Sequence, residues 1–326
     1  MLASATPRRI AALALGASLA VASAASLGGC ASAPAATSKT PTVNLEFEKY
    51  TLPNGLDVIL RRDPRLPIVG VNLWYHVGPA NEGPGRTGFA HLFEHMMFQG
   101  SGHVEDDAYF RHLEGAGASF VNGTTDFDRT NYLEDVPSNQ LELALWLESD
   151  RMGFLLDRLD AKMLANQQDV VRNERRQSIE NAPYQMAEEE MFHRLFPASH
   201  PYHAWVMGSH ADIQAAKLDH VRAFFSNFYR PNNASLAIVG DIDVAKTKAL
   251  VTKYFGTLKR GPQVPPITAA TPPITQERRK VMTDRVELPR IYLAWITPAI
   301  YKPGDAAQKR LAEASAIRNR AGGGRA

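Results

Sequence analysis

The stretch Gly88-Phe89-Ala90-His91-Leu92-Phe93-Glu94-His95-Met96-Met97-Phe98 sets three ionisable groups inside an otherwise apolar run. Its pattern predicts a helix that starts near Thr87 and is stopped by Gly100. On a helix, positions i and i+4 lie one above the other, so His91 and His95 offer their ring nitrogens to one point. Glu94 falls on the adjoining edge. A helix apolar on almost every side is buried, and buried ionisable groups without partners cost several kcal/mol. A divalent metal ion would satisfy all three together. The alternative is a pair of core histidines bonded to Glu94.

Two histidines do not complete a catalytic zinc site; a third protein ligand and an open position are expected. The only cysteine is Cys30, so any metal must be held by His, Asp or Glu. A helix predicted over 162–181 and stopped by Pro183 supplies the candidate. Glu174 follows Val170 and Val171 on what reads as the inward stripe, whereas Glu180 reads as solvated. A salt bridge from Glu174 to Arg175 or Arg172 is the competing assignment.

Working outward, 48–52 and 56–61 form a hairpin about Pro53-Asn54-Gly55, because Asn-Gly suits a tight turn. Residues 68–77 alternate as a strand. Strands at 118–122 and 130–134 pair around a Gly123-Thr124-Thr125 bend, and 236–239 is an apolar strand. Helices are expected at 106–113, 139–156, 186–195, 219–229 and 244–255. Strands and helices that cluster and pair locally argue for an α+β fold: a two-layer antiparallel sheet with helices packed on one face. This domain should span 45–260. Pro262, Pro265, Pro266, Pro272 and Pro273 mark 261–275 as a linker. Beyond it, Leu288-Pro289 and Ile291-Tyr292-Leu293-Ala294-Trp295 echo Leu66-Pro67 and Val71-Asn72-Leu73-Trp74-Tyr75. Residues 276–326 therefore read as the truncated start of a second, similar domain with a disordered tail.

The 326 residues are 44% hydrophobic, enough for a sizeable core, and the net charge of +2 is too small to suggest a nucleic-acid footprint. Arg8-Arg9 and the apolar run 10–27 lay out a secretory signal over 1–29. Leu27-Gly28-Gly29-Cys30 resembles a bacterial lipobox, with Cys30 lipidated and 30–44 as a flexible tether. That implies export to the periplasmic face of a bacterial membrane, and Ala31 points to the outer one. A plain signal peptide with an incidental cysteine is the alternative.

The metal helix also resembles, almost residue for residue, that of the pitrilysin family of inverzincin peptidases, which includes insulin-degrading enzyme and the mitochondrial processing peptidases. The likeness extends over 47–258 and includes Asn173-Glu174-Arg175-Arg176, His200-Pro201-Tyr202, Gly208-Ser209 and Tyr229-Arg230-Pro231-Asn232-Asn233. It implies a zinc endopeptidase that draws extended peptides into a closed chamber, with one zinc ion per domain. Metal ligation would fall to His91, His95 and Glu174, and general-base catalysis to Glu94. Asn122, Gly123 and Thr124 would line the cleft beside an edge strand that receives the peptide; an ordinary turn is the alternative there. Where many members carry a second Glu, this chain has Gln167. The family's second domain supplies an Arg and a Tyr that this chain does not reach. A homologous partner subunit or second domain is therefore expected. A non-catalytic assembly subunit and a zinc-scavenging lipoprotein are the competing functions.

Overall fold

In the computed structural model, residues 45–270 and 274–297 are described. The signal peptide, Cys30, the tether and the tail expected beyond 297 lie outside them. Contacts divide the chain into Met1–Leu45 and Glu46–Ala326, and every element below belongs to the second unit.

Six strands form one sheet: β1 (Glu48–Thr51), β2 (Asp57–Arg62), β3 (Ile68–Tyr75), β4 (Phe120–Asp126), β5 (Arg129–Pro137) and β6 (Ala234–Gly240). Their order is β1-β2-β6-β3-β5-β4. Alternation decides which face is covered. In β3, Val69, Val71, Leu73 and Tyr75 are buried, whereas Ile68 and Trp74 remain exposed. Val58 and Leu60 of β2, Tyr132 and Val136 of β5, and Leu236 and Ile238 of β6 share the buried set. Against that face pack α1 (Phe89–Met96), α3 (Leu141–Phe154), α7 (Leu218–Phe228) and α8 (Val244–Phe255). The shorter α2 (Ala108–Gly115) leans on α3, and α4 (Ala161–Arg175) crosses α1. Helices α5 (Gln185–Leu195) and α6 (His210–Ala215) lie between α4 and α7 in the chain.

The expected layers are present, with one departure from a fully antiparallel sheet. Strand β6 runs parallel to β2, with Val58 opposite Leu236, and antiparallel to β3, with Leu73 opposite Leu236. A strand that returns through a long helical crossover can insert between two earlier neighbours, and parallel pairing requires such a crossover.

The bend expected at Gly123-Thr124-Thr125 is also revised. These residues continue β4, with Gly123 opposite Tyr132 and Thr125 opposite Thr130, and the chain reverses at Phe127-Asp128. Strand β4 is an edge of the sheet. Residues 274–297 contain neither helix nor strand, and Ile291, Leu293 and Trp295 stay exposed.

Candidate metal centre

The metal-helix candidate α1 is fixed at its start by groups distant in sequence. Its N-cap, Gly88, has no side chain to accept the first free N–H groups. Glu82 replaces it, with Oε2 accepting from Gly88 N at 2.9 Å and Oε1 from Ala90 N at 2.7 Å. Burial pushes the Glu82 carboxyl up to about 8, against the pull of the Ala90 and Gly88 N–H groups. Thr87 donates its N–H and hydroxyl to Asp212 Oδ2 at 3.0 and 2.6 Å. Gly88 (φ +85°) abuts Gly208 (φ +63°), where a Cβ would lie 2.4 Å from the Gly88 Cα. Two left-handed glycines thus let the backbones touch. Behind the helix, Phe93 stacks on Tyr229 at 5.1 Å.

Glu82→Ala should therefore lower stability by ~1–2 kcal/mol through loss of the cap, read as a fall in Tm. Glu82→Gln retains one acceptor and should lose less. An unchanged Tm for Glu82→Ala would remove this role.

One turn apart on α1, His91 and His95 stand with ring centroids 4.8 Å apart. Their Nε2 atoms face the same oxygen, Glu174 Oε2, at 3.7 and 3.1 Å. All three ligand atoms lie within 4.8 Å of one another. Burial, reinforced by His95, pushes His91 down to about 4, so its imidazole is neutral at pH 7 with a lone pair to share. The hydrogen bond from His95 holds the Glu174 carboxyl below its usual range. Two imidazole nitrogens and one carboxylate oxygen are the donor set of a catalytic zinc site, and their convergence fits the ion.

Glu174 occupies the last turn of α4, whose Asp160 N-cap accepts from Met163 N at 2.8 Å. Of the two valines expected inward, Val171 is buried and Val170 is exposed. A π-helical turn, Arg176–Glu180, follows at once; such turns recur at functional sites. The competing salt bridge to Glu174 is absent from the described residues. Arg175 instead pairs with Glu189 and Glu180, and Arg172 with Asp169. Glu180 is exposed as expected, yet it also bonds His210 Nε2 at 2.8 Å.

Glu94 lies beside the centre, under β4. Burial pushes its carboxyl up, opposed by the hydroxyl of Thr125, which donates to Oε2 at 2.6 Å. A Cβ on Gly123 would meet Glu94 Cγ at 2.9 Å, so the strand rests directly on the carboxylate. The three residues expected in the cleft therefore divide. Gly123 faces Glu94. Asn122 is exposed, and Thr124 turns away to bond Asn131 and Arg129. Gln167, where a supporting carboxylate was expected to be missing, is buried in α4. Sequence reasoning passed over Thr125 and Glu82. Alternation from Gly123 would have placed Thr125 on the same face, and a helix with a glycine N-cap signals that its acceptors come from elsewhere.

Residues 57–208 match the family described as Insulinase (Peptidase family M16), and residues 215–314 match Peptidase M16 inactive domain. The chain is 31% identical to Zinc protease PqqE of Helicobacter pylori over 215 residues, covering 66% of this chain and 48% of that protein. It is 25% identical to Insulin-degrading enzyme-like 1, peroxisomal, of Arabidopsis thaliana, covering 84% of this chain and 29% of that protein. The crystal structure of a protease from Helicobacter pylori superposes with a TM-score of 0.64 at 30% identity, covering 70% of this chain and 53% of that one. The chain spans about half the length of the Helicobacter relative.

One expectation is overturned. Zinc was expected once per domain, yet among the described residues only His91, His95 and Glu174 form a group able to hold a metal. The region from 261 onward has neither His nor Cys, and the match over 215–314 is to an inactive domain. Catalytic zinc needs nitrogen or thiolate donors that this region does not carry. With the H-x-x-E-H helix, the distant Glu174 and two matching domains in order, the chain belongs to the insulinase family of M16 zinc metallopeptidases.

Proposed function

We propose that this chain is a zinc-dependent endopeptidase acting on extended peptides, with 45–260 as its catalytic domain and 261–275 as a linker. The observation that carries the reading is the convergence of His91, His95 and Glu174 with a buried Glu94 at its side. His91, His95 and Glu174 would hold the ion. Bound there, zinc supplies Lewis-acid chemistry, polarising a carbonyl and making water acidic enough to ionise near neutral pH.

The rest falls to the protein. Glu94, made more basic by burial, takes a proton from the attacking water and later delivers it to the leaving amine. Strand β4 is an edge, so its backbone at Asn122, Gly123 and Thr124 is available to pair with a peptide as an added strand. That pairing would lay the peptide beside the Gly123–Glu94 contact. Side-chain preference is then secondary to extended shape.

Full activity is assigned to a pair of halves, this chain with a homologous partner or second domain, because the relatives run to about twice its aligned span. The leader pattern and Cys30 support a lipid-anchored lipoprotein at the periplasmic face of a bacterial membrane. The test is zinc content measured beside hydrolysis of an internally quenched peptide, with and without candidate partners. We expect one zinc per chain, cleavage abolished by a chelator and restored by zinc. A folded sample that holds no zinc would overturn the reading, as would cleavage that is indifferent to chelation. Zinc without cleavage in every pairing would make it an assembly subunit instead.

A further inference from the structure

The catalytic carboxylate is tied to the sheet edge by one hydroxyl. Thr125 stands two residues after Gly123 on the helix-facing side of β4 and donates to Glu94 Oε2 at 2.6 Å. Among the described residues its only other close hydroxyl is Thr130 Oγ1, 3.4 Å away. Thr130 is fully buried and donates its own proton to the Val77 carbonyl at 3.0 Å. A hydroxyl has one proton to give, and an ionised carboxylate can only accept. The Thr125 proton is therefore committed to Glu94. Among the described residues Glu94 Oε1 takes no hydrogen bond. It lies 3.2 Å from where a Gly123 Cβ would be.

We propose that Thr125 is a positioning residue for the general base. It locks Oε2 of Glu94, so that the carboxylate holds one rotamer and Oε1 is the oxygen that exchanges the proton. The inference rests on the endopeptidase reading for its kinetic consequence, but not for the geometry. It also joins two parts of the site. The strand that would receive the peptide is the strand that orients the base, so substrate register and base position are set by one element. No other side chain on β4 reaches the carboxylate in this way. Thr124, its neighbour, points to the opposite sheet face and bonds Asn131 at 2.7 Å.

The test compares Thr125→Val and Thr125→Ser with the parent chain, each loaded with zinc. Valine keeps the shape and the strand preference but removes the donor; serine keeps the donor. In Thr125→Val, kcat should fall on the order of ten- to a hundredfold with KM within about twofold, since misplacing a catalytic group costs turnover rather than binding. Zinc content should be unchanged, and Thr125→Ser should recover most of the loss. Crystal structures should show Glu94 in a single rotamer in the parent and the serine variant, and in several with valine. A valine variant with parental kcat would overturn the proposal, as would a single parental rotamer in that variant or failure of serine to rescue. If the parent hydrolyses no peptide with any partner, the endopeptidase reading fails while the rotamer comparison still decides the role of Thr125.

Discussion

Glu94→Gln should leave zinc bound and lower peptide hydrolysis by a factor on the order of a thousand or more. The three groups that meet around the ion site are His91, His95 and Glu174, and Glu94 is not among them. An amide has the shape of the carboxylate and its oxygen still accepts from Thr125, so the side chain should stay in place. What it loses is the ability to take a proton. In the zinc-free protein the same substitution should raise stability slightly. Burial lifts the Glu94 carboxyl above its ordinary value, so the folded state favours the protonated form. Stability from this group is present at low pH and is lost as pH rises through the raised value, which leaves the ionised group destabilising near neutrality. Glutamine is neutral throughout and removes that cost. A higher Tm of the zinc-free variant, with full zinc content and no turnover once loaded, would together show a group kept for chemistry at the expense of folding. Turnover within tenfold of the parent would refute the role given to Glu94.

That contrast also explains which parts of this site can be read from sequence. The histidine pair is legible because both ligands sit on one helix, where spacing alone fixes direction. Glu174 is legible for the same reason, through Val171 on its stripe, even though Val170 lies outside that stripe and is exposed. Strands β1 to β3 announce themselves by turns and alternation. The insertion of β6 between β2 and β3 does not, since the short apolar run 236–239 carries no record of its neighbours. The end of β4 was hidden by its composition, because Gly123, Thr124 and Thr125 read as a bend until Tyr132 and Thr130 are seen opposite them. Caps and second contacts such as Glu82 to Ala90, or Thr87 to Asp212, depend on chain segments that meet only in the fold. The least legible feature is the run Glu148-Ser149-Asp150-Arg151, which looks like a solvated helix face yet is buried at every position.

Within that run, Arg151→Met should destabilise the protein by ~3–5 kcal/mol, the range for breaking a buried ion pair from one side. Arg151 is 1% exposed and its Nε donates to Glu148 Oε2 at 2.9 Å, while its Nη2 pairs with the other oxygen. Its guanidinium lies 4.1 Å from the ring centre of Tyr132 and 4.3 Å from that of Tyr109, whose hydroxyl donates to Glu148 at 2.7 Å. Burial is the largest single influence and works against the arginine's charge, but Glu148, Tyr109 and Glu134 together outweigh it and raise the pKa. Nearby Glu134 is pushed well up by burial and by Glu148, so this pocket disfavours a second negative charge beside the Arg151–Glu148 pair. Methionine would strand the Glu148 carboxylate in the core. The variant Arg151→Met with Glu148→Gln removes both charges and keeps an acceptor for Tyr109, so it should recover more than half of the loss. Urea unfolding of the single and double variants separates the two effects, because only an uncompensated charge is relieved by the second change. A loss under ~1 kcal/mol in the single variant would show that the aromatic rings, not the ion pair, hold this region. The consequence reaches the active site: Tyr132 lies opposite Gly123 in the sheet register and packs edge-on against Phe98 at 5.6 Å. A core loosened at Arg151 should therefore loosen the strand that carries Gly123 and Thr125, and turnover should fall in the single variant before global unfolding begins.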